Sequence, residues 1–195
     1  MIGSHPGGLS LTKRLFAMSG MTPPGRVLDL GAGGGESVRY LRKCGYEAEG
    51  VDLSCGAYGD MRNLSFPDGS FHICLAECSI SICGDGPAAL GEAFRVLRPG
   101  GSLLLSDVFF QKDEAPALSM PGPLGLSCWA QAWSKAGFQL KKLEDESALW
   151  REFYLESLWN DNADPCFSEF FCEAGKAGCG YFLAWLWKGG DHGTI

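Results

Sequence analysis

With 195 residues, 46% of them apolar and 20% charged, the chain can bury one substantial core and has no room for a second. A formal charge of −7, with Lys and Arg scattered singly apart from Lys13-Arg14 and Lys141-Lys142, repels phosphate backbones and argues against nucleic acid as a partner. The amino terminus lacks a basic start followed by a long apolar run, and no other apolar run is long enough to cross a bilayer, so a soluble cytoplasmic protein without a membrane partner is expected.

The pattern predicts a short helix over Leu9 to Ser19, then alternating strands and helices, which is the signature of a parallel sheet covered by helices on both faces. "RVLDL" (26–30) is a buried strand ending in glycines, and "ESVRYLRKCG" is a helix with Val38 and Leu41 on one face and Gly45 as its stop. "EAEGVDL" (47–53) is the second strand, with Glu47 and Glu49 unusual for a strand buried between neighbours. "FHICLAEC" (71–78) is another buried strand. "PAALGEAFRVL" is a helix with Ala89, Ala93, Val96 and Leu97 on one face, and "SLLLSDVFF" is the strand after it. Gln111 to Gly125 turns to Pro, Gly and Ser, a loop long enough to suspect function. Helix (Ser127 to Ala136), strand (Phe138 to Glu144), helix (Ser147 to Trp159), an irregular stretch rich in Cys and Phe, and the strand "GYFLAWLW" complete the order.

Nine cysteines, an odd number with no Cys-x-x-Cys pair, read as reduced thiols rather than a disulfide scaffold or metal site; no metal is expected. Cys74, Cys78 and Cys83 fall in or just after a strand, where cysteine serves as a small buried hydrophobe.

"VLDLGAGGG" places Gly31, Gly33, Gly34 and Gly35 at the carboxyl end of the first strand, immediately before a helix, where a ligand meets backbone N–H groups. By itself this fits a tight strand-to-helix turn, or a dinucleotide site in a nicotinamide-dependent oxidoreductase. Asp52 ends the second strand 17 residues after Gly35, where an acid can accept both hydroxyls of a ribose. The third glycine of a dinucleotide fingerprint is replaced by Glu36, which would repel a pyrophosphate but tolerate a cationic, phosphate-free nucleoside.

Together "VLDLGAGGG", "GVDLS", "GDMRNLSFPDGSFH" and "AFRVLRPGGSLLLSDV" make the chain similar to class I S-adenosylmethionine-dependent methyltransferases, of the group with a type 11 domain that includes ubiquinone/menaquinone-type and arsenite methyltransferases. The resemblance implies a Rossmann-like α/β fold and S-adenosylmethionine as cofactor, with S-adenosylhomocysteine as its product. Residues 1–195 would form a single methyltransferase domain: an N-terminal helical segment (1–24), a cofactor-binding half (25–110), a substrate-side half (111–188) and a frayed tail (189–195). Asp29 and the loop Gly31, Ala32, Gly33, Gly35 would hold the methionine part. Asp52 would bind the ribose hydroxyls with Leu53 beside the adenine, Asp60 would accept from the adenine amino group and the Met61 N–H would donate to the ring. The main chain at Glu77 and Cys78 would lie near the transferring methyl.

The sequence departs from that pattern where only seven residues separate Asp52 from Asp60. The family's third, edge strand and its preceding helix have no room, since eight residue steps reach at most ~28 Å. A six-stranded sheet is expected, with "EAEGVDL" as the new edge. Its two glutamates would oppose strand pairing with other chains; otherwise a partner subunit in a homodimer covers the edge. Ser81 and Ile82 occupy positions where the family often has a His pair.

Methyl transfer from a sulfonium is an in-line displacement that requires no obligatory acid–base pair. For an oxygen or carbon nucleophile a base helps, and the candidates are His5, Glu77, Asp107 and Tyr154. Each also has a structural role to offer: flexible terminal residue, backbone-side contact, strand-end cap and helix packing. The acceptor, a small molecule, is expected between the N-terminal segment, the loop from Phe109 to Leu126, and Trp129, Trp150, Phe153 and Trp159. Arsenite or another thiol-bound metalloid is an alternative acceptor if Cys55, Cys78 or Cys128 converge. A non-catalytic protein or partner subunit that binds S-adenosylmethionine or S-adenosylhomocysteine is another.

Overall fold

Val27, Leu28 and Leu30 are fully buried because β1 (Arg26–Leu30) lies inside a sheet, between β2 (Glu47–Val51) and β3 (Phe71–Glu77). A computed structural model describes residues 5–53, 59–111, 125–158, 173 and 178–190. The other strands are β4 (Leu97–Phe110), β5 (Gln139–Asp145) and β6 (Cys179–Trp187), and the order across the six-stranded sheet is β2-β1-β3-β4-β6-β5. The helices are α1 (Leu9–Ser19), α2 (Glu36–Lys43), α3 (Gly86–Val96), α4 (Leu126–Ala136) and α5 (Ser147–Leu158).

β2, β1, β3 and β4 pair in parallel, as expected, and of the described strands β6 alone is reversed in direction. β6 runs antiparallel to β4, and β5 antiparallel to β6. β5 therefore keeps the parallel sense of a β4-α4-β5 crossover but lies one place further out, and β6 fills the slot between them.

Alternation along each strand splits the core between the two faces of the sheet. Leu28, Leu30, Leu103 and Leu105 pack toward α3 and α4, whereas Val27, Leu104, Val108 and Tyr181 pack with residues of α1, α2 and α5. The aromatic residues expected around a substrate are largely core. Trp129, Trp133 and Phe182 form one cluster, with Trp129 Nε1 donating to the Val108 carbonyl at 3.1 Å, and Trp150 stacks on Tyr181. Trp159, Cys55, residues 112–124 of the long loop, the Cys- and Phe-rich stretch apart from Glu173, and tail residues 191–195 lie outside the described residues.

β2 is an edge, as expected from the short spacing after it, with Glu47 exposed and Glu49 paired to Arg26 at 2.8 Å. The other edge, β5, also points charge outward through Lys141 and Lys142. Past β2, the Gly59 N–H donates to the Asp52 carbonyl at 3.1 Å, so the chain returns to the end of β2 within one short excursion. The segment that follows is anchored to α3 by Arg95, which donates to the carbonyls of Leu64 and Phe66 and to Asp68 and Glu92.

Candidate functional site

A cavity of about 340 Å³ opens over the carboxyl ends of β1, β2 and β3, beside the start of α2. That volume falls within the range of small-molecule sites, roughly 300–1,000 Å³. Of the residues the sequence nominated for a cofactor, Asp29, Gly31, Ala32, Gly33, Asp52, Leu53, Asp60, Met61, Glu77 and Cys78 line it. Gly35 is not in the wall; it is the N-cap of α2, in a left-handed conformation.

The glycine loop is held from both sides. The N–H groups of Gly31 and Ala32 both donate to the Val51 carbonyl, at 2.8 and 3.0 Å, and the Gly33 N–H donates to Asp52 Oδ2 at 2.8 Å. Gly31 has φ of +82°, and a Cβ there would stand 2.5 Å from Ser79 Cβ. Ser79 in turn is fixed by donating its hydroxyl to the Leu30 carbonyl at 2.6 Å.

The wall is rich in acid: Asp29, Glu36, Asp52, Asp60 and Glu77, against His5 and Arg62. Asp29 is 3% exposed, and its carboxyl is held well above the usual range by burial first, then by the charges of Glu77 and Asp52. A buried carboxylate among like charges is stabilised by a cation. Burial also raises Glu77, opposed by His5 and by hydrogen bonds from Ser37 and Thr12. Asp60 is engaged by Arg62, whose Nε, Nη2 and backbone N–H reach its oxygens at 2.8–3.1 Å and hold its carboxyl below the usual range. A carboxylate offers about four acceptor positions, so Asp60 retains capacity for a further donor.

The four candidate bases separate. His5 and Glu77 line the cavity; Asp107 and Tyr154 do not. Asp107 is buried and caps the turn after β3, accepting from the Ser81 N–H at 3.0 Å and the Ser81 hydroxyl at 2.6 Å, and from the Val108 N–H. Tyr154 packs against the core on the α1, α2 and α5 face. The structural role given to each of these two is the one observed. His5, by contrast, is no loose terminal residue: it is 7% exposed and faces Glu77.

Burial pushes Asp107 up to about 6, with its hydrogen bonds opposing the shift. An acid raised above its unfolded value of ~3.9 favours the folded state while protonated, so its contribution is present below about pH 4 and lost as pH rises through about 6. The unfolding free energy of Asp107→Asn relative to wild type, from urea titrations at pH 4.5 and 7, is expected to be lower at pH 4.5 by about 2 kcal/mol. A pH-independent difference would contradict this.

Thr12 and Ser37 are site residues that the sequence reading missed. Thr12 Oγ1 donates to Glu77 at 3.0 Å and Ser37 Oγ donates to its Oε2 at 3.0 Å, tying α1 and α2 to the end of β3. Ser37, two places beyond the last glycine, carried a local signal; Thr12, 65 positions from Glu77, carried none. Cys78 is the one described non-glycine residue with positive φ, at +53°. Its thiol donates to Tyr181 Oη at 3.2 Å and is pushed up by burial, then by Asp107, so it remains protonated. Among the described residues no group of three or more His, Cys, Asp or Glu could hold a metal ion, and no helix is long and apolar enough to cross a membrane.

Residues 28–105 match the family model described as a methyltransferase domain. The chain is 32% identical over 122 residues to malonyl-acyl-carrier-protein O-methyltransferase of Serratia marcescens, covering 53% of this chain and 48% of that protein. It is 29% identical over 170 residues to 27-O-demethylrifamycin SV methyltransferase of Amycolatopsis mediterranei, covering 75% and 59%. The chain thus spans about half the length of the curated relatives it matches. Among solved structures, geranyl diphosphate C-methyltransferase of Streptomyces coelicolor, crystallised with S-adenosylhomocysteine, superposes with a TM-score of 0.77 at 15% identity over 92% of this chain and 79% of that one. The cyclase SpnF superposes with a TM-score of 0.77 at 21% identity over 93% and 80%.

Proposed function

We propose, from the premise that this chain carries a methyltransferase domain on a class I methyltransferase fold, that it binds S-adenosylmethionine in the cavity and transfers the methyl group to a small-molecule acceptor. The observation that carries the reading is Asp29, a buried carboxylate in the cavity wall among like charges. Its environment calls for a cation, and S-adenosylmethionine brings an ammonium and a sulfonium without a phosphate. The bound donor would supply an activated methyl group; the chain binds, orients and excludes water.

In this reading Asp29 and the glycine loop hold the methionine end, and Asp52, with Oδ2 already fixing the Gly33 N–H, presents its carboxylate to the ribose. Leu53, 53% exposed beside it, offers an apolar surface for the adenine to cover, and Asp60 and Met61 lie on the same wall. Residues 25–110 would supply the cofactor half and 111–188 the acceptor side. The same reading puts the protein in the cytoplasm, consistent with six free cysteines among the described residues, and pairs it as a homodimer, which sedimentation velocity tests.

Calorimetric titration with S-adenosylmethionine and S-adenosylhomocysteine is the direct test; absence of binding to both would overturn the reading. Asp52→Ala is expected to weaken binding by roughly 1.5–3 kcal/mol, since it removes acceptors for the ligand and the anchor of the loop. Unchanged affinity would show that Asp52 does not face the ligand. The fold alone does not fix the reaction, and the likeness to a cyclase supports a second reading, ligand binding without methyl transfer. Radiolabelled methyl transfer to phenols, thiols and quinol precursors separates the two.

A further inference from the structure

We propose that His5 is the general base of this site: its Nε2 takes the proton of a neutral hydroxyl acceptor as that oxygen is methylated, and Glu77 stabilises the imidazolium that forms. The inference rests on the reading of the cavity as a methyltransferase site and adds to it a catalytic residue and an acceptor class.

His5 Nδ1 lies 3.2 Å from the Pro6 carbonyl. A carbonyl only accepts, so in the neutral ring the hydrogen sits on Nδ1 and the lone pair on Nε2. Nε2 is the nitrogen directed toward Glu77, with Oε2 at 3.6 Å. That separation is too long for a hydrogen bond, so the Nε2 lone pair is not used by Glu77, while the carboxylate lies beside the charge that forms when Nε2 takes a proton. Glu77 cannot turn away, because Thr12 from α1 and Ser37 from α2 hold its two oxygens. The other charged group that acts on Glu77 is also acidic, Glu36 of α2, and Glu77 in turn raises Asp29 of β1. Arg62, the other basic residue of the wall, is engaged by Asp60. Asp107 is committed to its cap, and the Cys78 thiol is held protonated.

The acidic wall selects the acceptor. Carboxylate and phosphate groups are repelled by Asp29, Glu36 and Glu77, whereas a neutral hydroxyl is not. A phenol-like hydroxyl, with a pKa near 10, still carries its proton at pH 7 and must lose it during transfer. The O–H bond breaks and its proton bonds to the Nε2 lone pair. Oxygen keeps a pair to form the O–C bond, and the pair of the broken C–S bond stays on the donor's sulfur. The imidazolium returns its proton to water after the product leaves.

The test is ¹⁵N NMR of the full chain labelled on its histidine rings, with His72 assigned through His72→Asn and His192 through His192→Asn. The expected neutral form of His5 carries its proton on Nδ1, and its Nε2 resonance shifts when phenol is added with S-adenosylhomocysteine but not when anisole is added. A proton on Nε2, or an Nε2 resonance that phenol does not move, overturns the proposal. S-adenosylhomocysteine affinity is measured by calorimetry on the same sample. Binding with the wrong tautomer defeats the inference alone; absence of binding defeats the methyltransferase reading. In turnover with phenol and S-adenosylmethionine, His5→Gln is expected to lower kcat by about 10²–10⁴-fold and to remove the acid limb of the rate profile, with S-adenosylhomocysteine affinity unchanged. An unchanged kcat or a retained acid limb would also overturn the proposal.

Discussion

Gly31→Ala is expected to abolish ligand binding and to destabilise the protein by roughly 2–5 kcal/mol, a large share of the ~5–15 kcal/mol that holds a domain folded. Two independent terms add. The left-handed backbone at φ +82° is unfavourable for any residue with a Cβ, by about 1–2 kcal/mol. The new methyl would also stand 2.5 Å from Ser79 Cβ, an atom next to the main chain and held there by the bond from Ser79 Oγ to the Leu30 carbonyl. Overpacking of that kind adds about 1–3 kcal/mol. Relief by moving residue 31 would pull two N–H groups off the Val51 carbonyl and shift the Gly33 N–H away from Asp52. Gly34→Ala is the control, because nothing lies within 4 Å of its Cβ position and its φ is not positive. Urea denaturation and calorimetric titration of both variants should show a large loss at position 31 and almost none at 34; equal effects would remove the steric argument.

Glu77→Ala is expected to loosen the N-terminal segment and lower stability by about 2–4 kcal/mol, because it leaves the Thr12 and Ser37 hydroxyls facing a space with no acceptor. The loss is partly offset, since the variant no longer buries one carboxylate near another. Glu77 is a cause of the raised Asp29 value, so the Asp29 carboxyl moves back toward the usual range when the charge is removed. Hydrogen exchange locates the effect: amides in the first turns of α1 and α2 should lose protection, whereas those of β4 and β6 should fall only with global stability. Uniform loss across the chain would mean that Glu77 supports the sheet rather than its attachment to the two helices.

Most of the secondary structure could be read locally. Leu11, Leu15 and Phe16 recur at helical spacing, "RVLDL" is an apolar run bounded by Gly25 and Gly31, and "FHICLAE" is one that follows the turn residues Pro67 to Ser70. Strand direction could not be read, because "GYFLAWLW" is buried on both faces and shows no alternation to tell an antiparallel partner from a parallel one. The glycine loop and the acids Asp29, Asp52 and Glu77 were legible for a related reason: each falls at or beside the carboxyl end of a strand, where side chains and N–H groups face a ligand. Asp107 shows the limit of that rule. It too lies near a strand end, but its carboxylate turns to the Ser81 cap, and which way a strand-end side chain turns depends on the adjoining loop. The grouping of His5, Thr12 and Ser37 around Glu77 arises only when distant segments meet, and no local pattern encodes it.

The meeting of Asp52 and Gly59 bears on how the fold can change. Their main chains are joined by one hydrogen bond across an excursion at the sheet's edge, so the two ends of any inserted segment would start out already adjacent. Closure entropy grows only with the logarithm of length, about 0.6 kcal/mol per doubling. A flexible insert, or a helix and strand that extended the sheet past β2, would therefore burden the domain little. The position is a natural graft point: the fold can gain or lose a peripheral unit there while both acids beside it keep their places.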